Sequence, residues 1–332
     1  MEVLAQIHPC TKNMSWFLIT LSCILLWGIT DILYKKSSEY SDPLSHFKTY
    51  VWIGIVMALV GSIVALSSDT LSDSLVVVSD NLYLLPLCVF YAIALFFGLL
   101  GVKHLDASVA SPLENIDGAM AAIMLYIFFL FTGRSHVTAS ISTAEIIGTA
   151  AIVIGVVLLG IQEQALSKQE VHLTEDKKRH RLGALALIFP IVYNLVDAVS
   201  MVVVGITVSG ETEVAIPDMD FLFFECLGFA FVALLLWLYM LVFKKHLYNP
   251  FRKTELSRCG AAVGETFGTM TYVFAAASNP ILTPPLTSSY CLVTIVLARI
   301  FLKERLTKKQ YLSLAFLVVG IALLGISEIF SV

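Results

Sequence analysis

The chain has 332 residues, of which 58% are hydrophobic and only 14% charged, and its mean hydropathy is +0.86. A soluble domain carries about 25% charged and about 45–50% apolar residues, so this chain lacks the polar side chains to cover a water-exposed surface. Its net charge of −4, from 21 Lys and Arg against 25 Asp and Glu, is too small a bias for a nucleic-acid partner. The composition is that of an integral membrane protein whose solvent is the lipid bilayer.

A helix needs about 20 mostly apolar residues to cross roughly 30 Å of hydrocarbon. Ten runs in chain order meet that need: 15–34, 45–66, 83–103, 107–131, 142–161, 182–206, 219–243, 260–278, 284–302 and 310–328. The head, Met1 to Asn13, holds one Lys and is followed by a run long enough to span, without a convincing signal-peptide cleavage site; Met14 offers an alternative start. From Thr266 to Ala298 there is no charged residue, and Asn279-Pro280 with Pro284-Pro285 marks the turn between the eighth and ninth runs. Alternating ten-residue segments are absent, which argues against a β-barrel. The cysteines form no CxxC pair, most lie within the apolar runs, and they read as small apolar packers without a redox role.

The polar stretch 162–181 divides the chain into halves of five runs, 1–161 and 182–332. The halves resemble each other. Pro112-Leu113 opens the fourth run much as Pro285-Leu286 opens the ninth, and Trp27-Gly28-Ile29-Thr30-Asp31 matches Tyr193-Asn194-Leu195-Val196-Asp197. Because five is odd, a second copy lies upside down in the membrane. The expected architecture is therefore all-α, ten transmembrane helices in two inverted five-helix repeats, an arrangement typical of transporters. All Lys and Arg except Lys12 and Arg134 lie in or beside the odd-numbered connections. The positive-inside rule then places those connections in the cytoplasm of a multi-pass cell-membrane protein, with both termini outside.

Phe301-Leu302-Lys303-Glu304-Arg305-Leu306-Thr307-Lys308-Lys309-Gln310, followed by an apolar run with Gly320 and Gly325, resembles the end of an EamA repeat. Trp27-Gly28 is similar to the aromatic–Gly pair that opens one. The first half departs from the pattern, with Phe131-Thr132-Gly133-Arg134 where the Glu-containing turn should stand. The resemblance is to the drug/metabolite transporter superfamily and covers about residues 15–328. It implies a ten-helix basket around a central cavity, with spans 1–4 and 6–9 lining it and spans 5 and 10 peripheral. It says almost nothing about substrate.

Ionisable residues within spans are costly, roughly 2.5–3.5 kcal/mol each on insertion scales. Here they are Asp31, Glu114, Asp117, Asp197, Glu225 and Glu265. Glu114 and Asp117, three apart, share a face of a continuous helix and can share a proton. Asp31 precedes Lys35 by one turn and forms an ordinary surface pair with it. Asp197 holds the corresponding place in the second half, with no such partner. Trp27, Tyr91, Tyr193, Tyr272 and Tyr290 can wall a cation. Together these eleven residues are the candidates for substrate binding or proton coupling, and Pro112, Pro190, Pro280, Pro284 and Pro285 mark helix breaks or ends near a cavity.

The expected function is secondary-active transport of small cationic or zwitterionic solutes, such as amines or amino acids, coupled to protons. A divalent-cation carrier is an alternative, and so is a sugar-phosphate or nucleotide-sugar exchanger, which would need basic residues at the midplane. No enzyme motif, ATP-binding loop or metal-ligand set occurs in a plausible setting, so neither a cofactor nor catalysis is expected. Small residues on the fifth run (Gly148, Ala151, Gly155) and the tenth (Gly320, Ala322, Gly325) offer a homodimer face, or a face for neighbouring helices.

Overall fold

A computed structural model describes residues 16–38, 42–67, 85–105, 107–139, 141–170, 186, 188–250, 255–302 and 308–331. The head with Met14, the acidic connection after the second run, the linker from 171 to 181 and the motif residues 303–307 lie outside the described residues.

Regular structure among the described residues is helical throughout: α1 (Trp16–Ser37), α2 (Ser45–Ser67), α3 (Leu85–His104), α4 (Ala107–Glu114), α5 (Asp117–Phe131), α6 (Ser135–Ala139), α7 (Thr143–Glu170), α8 (Ile188–Val208), α9 (Asp218–Val242), α10 (Leu256–Ser278), α11 (Thr283–Thr287), α12 (Tyr290–Leu297), a π turn at Ala298–Leu302, and α13 (Lys308–Ser331). Eight helical segments are long and apolar enough to cross a membrane, counting α4 with α5 and α11 with α12. The other two expected runs form α3, whose apolar part is the shorter Cys88–His104, and α10, diluted by Glu265 and by Gly260, Gly264 and Gly268. Large apolar side chains such as Leu66, Phe131, Phe243 and Leu312 face outward, as a lipid-facing surface requires.

The most extensive interfaces pair α1 with α10, α7 with α13, α2 with α9 and α3 with α8, while α5 meets α11 and α4 meets α12. Small residues permit the closest approaches. A Cβ on Gly264 would strike the Thr30 hydroxyl, and one on Gly268 would strike the Trp27 ring. Gly148 lies against Gly320, Gly155 against Leu317, and Gly325 against Phe17. Of the small residues that offered a dimer face, Gly148, Gly155, Gly320 and Gly325 pack against neighbouring helices of the same chain, while Ala322 is exposed.

The fourth span is not a continuous helix, which corrects the shared face expected for Glu114 and Asp117. Pro112 cannot donate to the helix ladder, and a turn at Asn115-Ile116 separates α4 from α5. Asn194 of α8 satisfies backbone groups freed there: its Oδ1 accepts from Asp117 N–H (2.8 Å) and its Nδ2 donates to the Leu113 carbonyl (2.5 Å). The ninth span breaks likewise at Ser288-Ser289, three residues after Pro285. There the hydroxyls of Thr287 and Ser289 cover the carbonyls of Thr283 and Leu286 at 2.9 and 2.6 Å. Gly118 lets the two broken spans cross, since a Cβ there would collide with the Pro284 carbonyl.

Basic side chains close one end of the bundle. Lys35 donates to the carbonyls of Val102 (3.0 Å) and Leu105, and Lys103 to those of Asp42 (2.9 Å) and Pro43 (3.0 Å). Arg258 ties Glu255 (2.6 Å) to the Ser37 carbonyl (3.1 Å), and Lys48 pairs with Asp42 (2.6 Å). Tyr248 donates to Glu255 at 2.7 Å. Burial, then the bonded carboxylate, push its hydroxyl well above the usual phenol range, so it remains a donor.

Candidate functional site

All eleven candidate residues are buried. Seven of them, Trp27, Asp31, Tyr91, Glu114, Tyr193, Glu265 and Tyr290, line one cavity together with Tyr34, Leu99 and Val102. Its free volume is about 20 Å³, room for one or two waters and no more. That is too small for an organic solute, which enters only if helices move.

Each carboxylate is held differently. Glu265, on α10, accepts from the hydroxyls of Tyr34 (2.9 Å) and Tyr91, with Thr269 at 3.4 Å. Asp31 accepts from Thr294 of α12 at 2.8 Å and also meets the Ser111 hydroxyl. It does not form the expected pair with Lys35, whose ammonium is turned to α3. Glu114 sits where Gly98 and Gly101 leave a groove on α3, and its Oε1 has no hydrogen-bond partner among the described residues. Among the described residues, no Lys, Arg or His lines the cavity. An ionised carboxylate in such a setting is electrostatically uncompensated.

Asp117 lies outside this cavity. Its own Oδ1 accepts from Gly118 N–H at 2.6 Å, and its carboxyl is within hydrogen-bonding reach of Asp197, which Tyr193 also contacts. The acidic pair suggested by local spacing, Glu114 with Asp117, is thus replaced by a pair across helices, Asp117 with Asp197. Asp197, Glu225 and Tyr272 border a second, smaller cavity that shares Trp27 and Tyr91 with the first. Trp27 is the partition: it stacks on Tyr272 at 5.6 Å and meets Tyr290 edge-on at 5.7 Å.

Tyr34, Asn194, Ser111 and Thr294 escape the sequence reading. Tyr34 lies near the end of its run and passes for an interfacial aromatic. It is only three residues after Asp31, a spacing that does place both on one helical face.

No family model matches the chain, and no curated protein matches it. Among solved structures 22 chains match. One, described only as "Crystal structure of protein", is similar over 95% of this chain and 97% of its own, with a TM-score of 0.61 and 15% identity. At that identity the likeness is one of fold.

Proposed function

We propose that the chain is a secondary-active transporter that moves small amine-bearing solutes across a membrane by alternating access. The carrying observation is the small cavity in which Asp31, Glu114 and Glu265 converge with aromatic rings and, among the described residues, no basic side chain. A cation or zwitterion relieves that negative field, and rings of Trp27, Tyr193 and Tyr290 suit the face of an ammonium group. An organic phosphate meets nothing there to pair with, and among the described residues no cluster of three or more His, Cys, Asp or Glu is placed to hold a metal ion. The exchanger and divalent-carrier readings have no comparable support.

The reading includes ten spans in two inverted repeats, as the resemblance to drug/metabolite transporters implies. Two observations support it. The helix breaks at Asn115 and Ser288 follow Pro112 and Pro285 at the same distance. The pairing of spans one with eight, three with six, two with seven and five with ten is also what a two-fold axis relating the halves would produce. The gathering of Lys35, Lys48, Lys103 and Arg258 at one end fits a cytoplasmic face there, in the cell membrane, with the termini outside. Protons are the coupling ion in this reading, carried by Asp117 and Asp197.

The test is calorimetry on purified protein with paired solutes, beginning with phenethylamine and its neutral analogue 2-phenylethanol. The amine member should bind at least about tenfold tighter, which corresponds to about 1.4 kcal/mol, and Glu265→Gln should shrink that gap. Equal affinity within every pair, or tighter binding of an organic phosphate, would show that the carboxylates are not aimed at the solute.

A further inference from the structure

We propose that an anionic phospholipid of the surrounding bilayer seats one acyl chain in a groove between α2 and α9, with its headgroup at Lys244 and Lys245. The groove holds about 380 Å³ and is lined by apolar and aromatic side chains, with no charged residue among those described. On both helices the lining recurs at i, i+3, i+4 and i+7, from Val51 to Ala58 on α2 and from Ala230 to Trp237 on α9, so each contributes a single face. The helices run antiparallel, with Gly54 against Ala233 and Gly61 against Cys226. Small side chains at Gly54, Ala58, Ala230 and Ala233 leave the hollow. Ala58 and Leu234 are exposed there, on the side where a membrane-spanning helix pair meets lipid.

Depth and charge select the occupant. From Val51 to Ala58 the chain rises about 10 Å, beginning less than two turns into α2. The groove therefore lies in the leaflet at the basic end of the bundle. A transmembrane helix of a second copy, about 30 Å long in the hydrocarbon, would find the hollow along only about a third of its length, whereas a lipid tail enters from one leaflet. An amine-bearing solute meets no carboxylate here, and the one hydroxyl on the wall, that of Tyr248, is turned to Glu255. Trp237 donates to the Tyr248 carbonyl at 3.5 Å, which gathers two amphipathic rings at the end of the groove, as at a membrane interface. Lys48 lies 5.8 Å from the Tyr248 ring, but its charge is met by Asp42. Lys244 and Lys245 follow α9 directly, about two turns beyond Trp237. Both are exposed, and neither pairs with a carboxylate among the described residues. Lysines so placed at a membrane surface attract anionic headgroups.

The site does not depend on the transport reading, and its test uses no organic solute. Purified full-length protein in detergent is heated with dioleoyl phosphatidylglycerol or dioleoyl phosphatidylcholine, whose tails are identical, and native mass spectrometry counts the lipid retained. A ligand of the folded state raises Tm in a saturable way. The anionic lipid should half-saturate at a concentration at least tenfold below that of the zwitterionic one, with one molecule retained per chain. Ala58→Trp fills the hollow from an exposed position and should raise the half-saturating concentration of the anionic lipid at least tenfold; if it does not fold, Ala58→Leu takes its place. Lys244→Gln combined with Lys245→Gln should bring the anionic lipid to the value of the zwitterionic one. Leu312→Trp, outward on α13, should change neither. Equal half-saturation by the two lipids in the parent, or an unchanged response in the groove-filling variant, would mean ordinary surrounding lipid only and would overturn the site. So would a two-chain mass that Ala58→Trp dissociates, since a second copy would then own the groove. Failure of amines to bind would sink the solute reading without touching this titration.

Discussion

Asp117→Asn is expected to abolish the accumulation of an amine against its gradient in proteoliposomes energised by a pH difference, while exchange of labelled for unlabelled amine continues. The Asp117 carboxyl lies within hydrogen-bonding reach of Asp197 at the point where the fourth span is broken. Two facing carboxyls in a water-poor interior can hold one proton between them, and taking it up or releasing it changes the charge of the pair. Asparagine keeps the shape and can still receive the neighbouring backbone N–H, but it carries no exchangeable charge. Coupling should therefore fall by at least about tenfold while the solute's own route survives. Asp197→Asn should behave alike, because the two act as a unit, and the double variant should be little worse than either single one. pH-driven accumulation that persists in Asp117→Asn would remove the pair from the mechanism.

The second large effect is expected at the basic end. Lys35→Ala removes the charge-assisted bonds that tie α1 to the carbonyls of Val102 and Leu105, at the end of α3. Arg258→Ala frees Ser37 from the Glu255–Tyr248 group. Hydrogen bonds to charged groups contribute about 1.5–3 kcal/mol each, enough to change the population of an open form tenfold or more. Val102 lines the acidic cavity and is 3% exposed. A cysteine introduced there should be modified by a polar thiol reagent at least about tenfold faster in Lys35→Ala than in the parent, with labelling at Val102→Cys resolved by mass spectrometry. Equal rates in parent, Lys35→Ala and Arg258→Ala would mean that these contacts do not hold the end shut.

Hydropathy makes the helices legible because every span must satisfy its backbone internally and face lipid on one side. Pro112 and Pro285 mark the neighbourhood of the breaks, since neither can donate to the ladder, yet spacing alone still runs one continuous helix through Glu114 and Asp117. What local spacing cannot supply is the partner. On α1 the one-turn interval between Asp31 and Lys35 is real, yet one side chain reaches Thr294 and the other reaches Leu105. Helical spacing joins Glu114 to Asp117, but the turn between them sends one toward α3 and the other toward α8. Asn194 reads as an unremarkable polar residue until the broken backbone beside it appears. A further signal lies in Gly260, Gly264 and Gly268, which recur every fourth residue. That is the mark of a helix face meant for close approach, and two of them receive Thr30 and Trp27.

The pairing of helices across the middle of the chain has a bearing on how the protein comes to exist. None of the four most extensive interfaces joins two helices of the same half. While the ribosome is still making the second half, the inserted first half has its acidic residues and its glycine faces in the membrane without the surfaces that will cover them. Burial of Asp31 awaits Thr294, synthesised 263 residues later, and Glu265 receives Tyr34 across 231 residues. Such distant closures are entropically slow, so the nascent chain passes through a stage in which half of it is inserted and its largest interfaces are still unmade. A chain ending after the linker would keep those surfaces uncovered permanently.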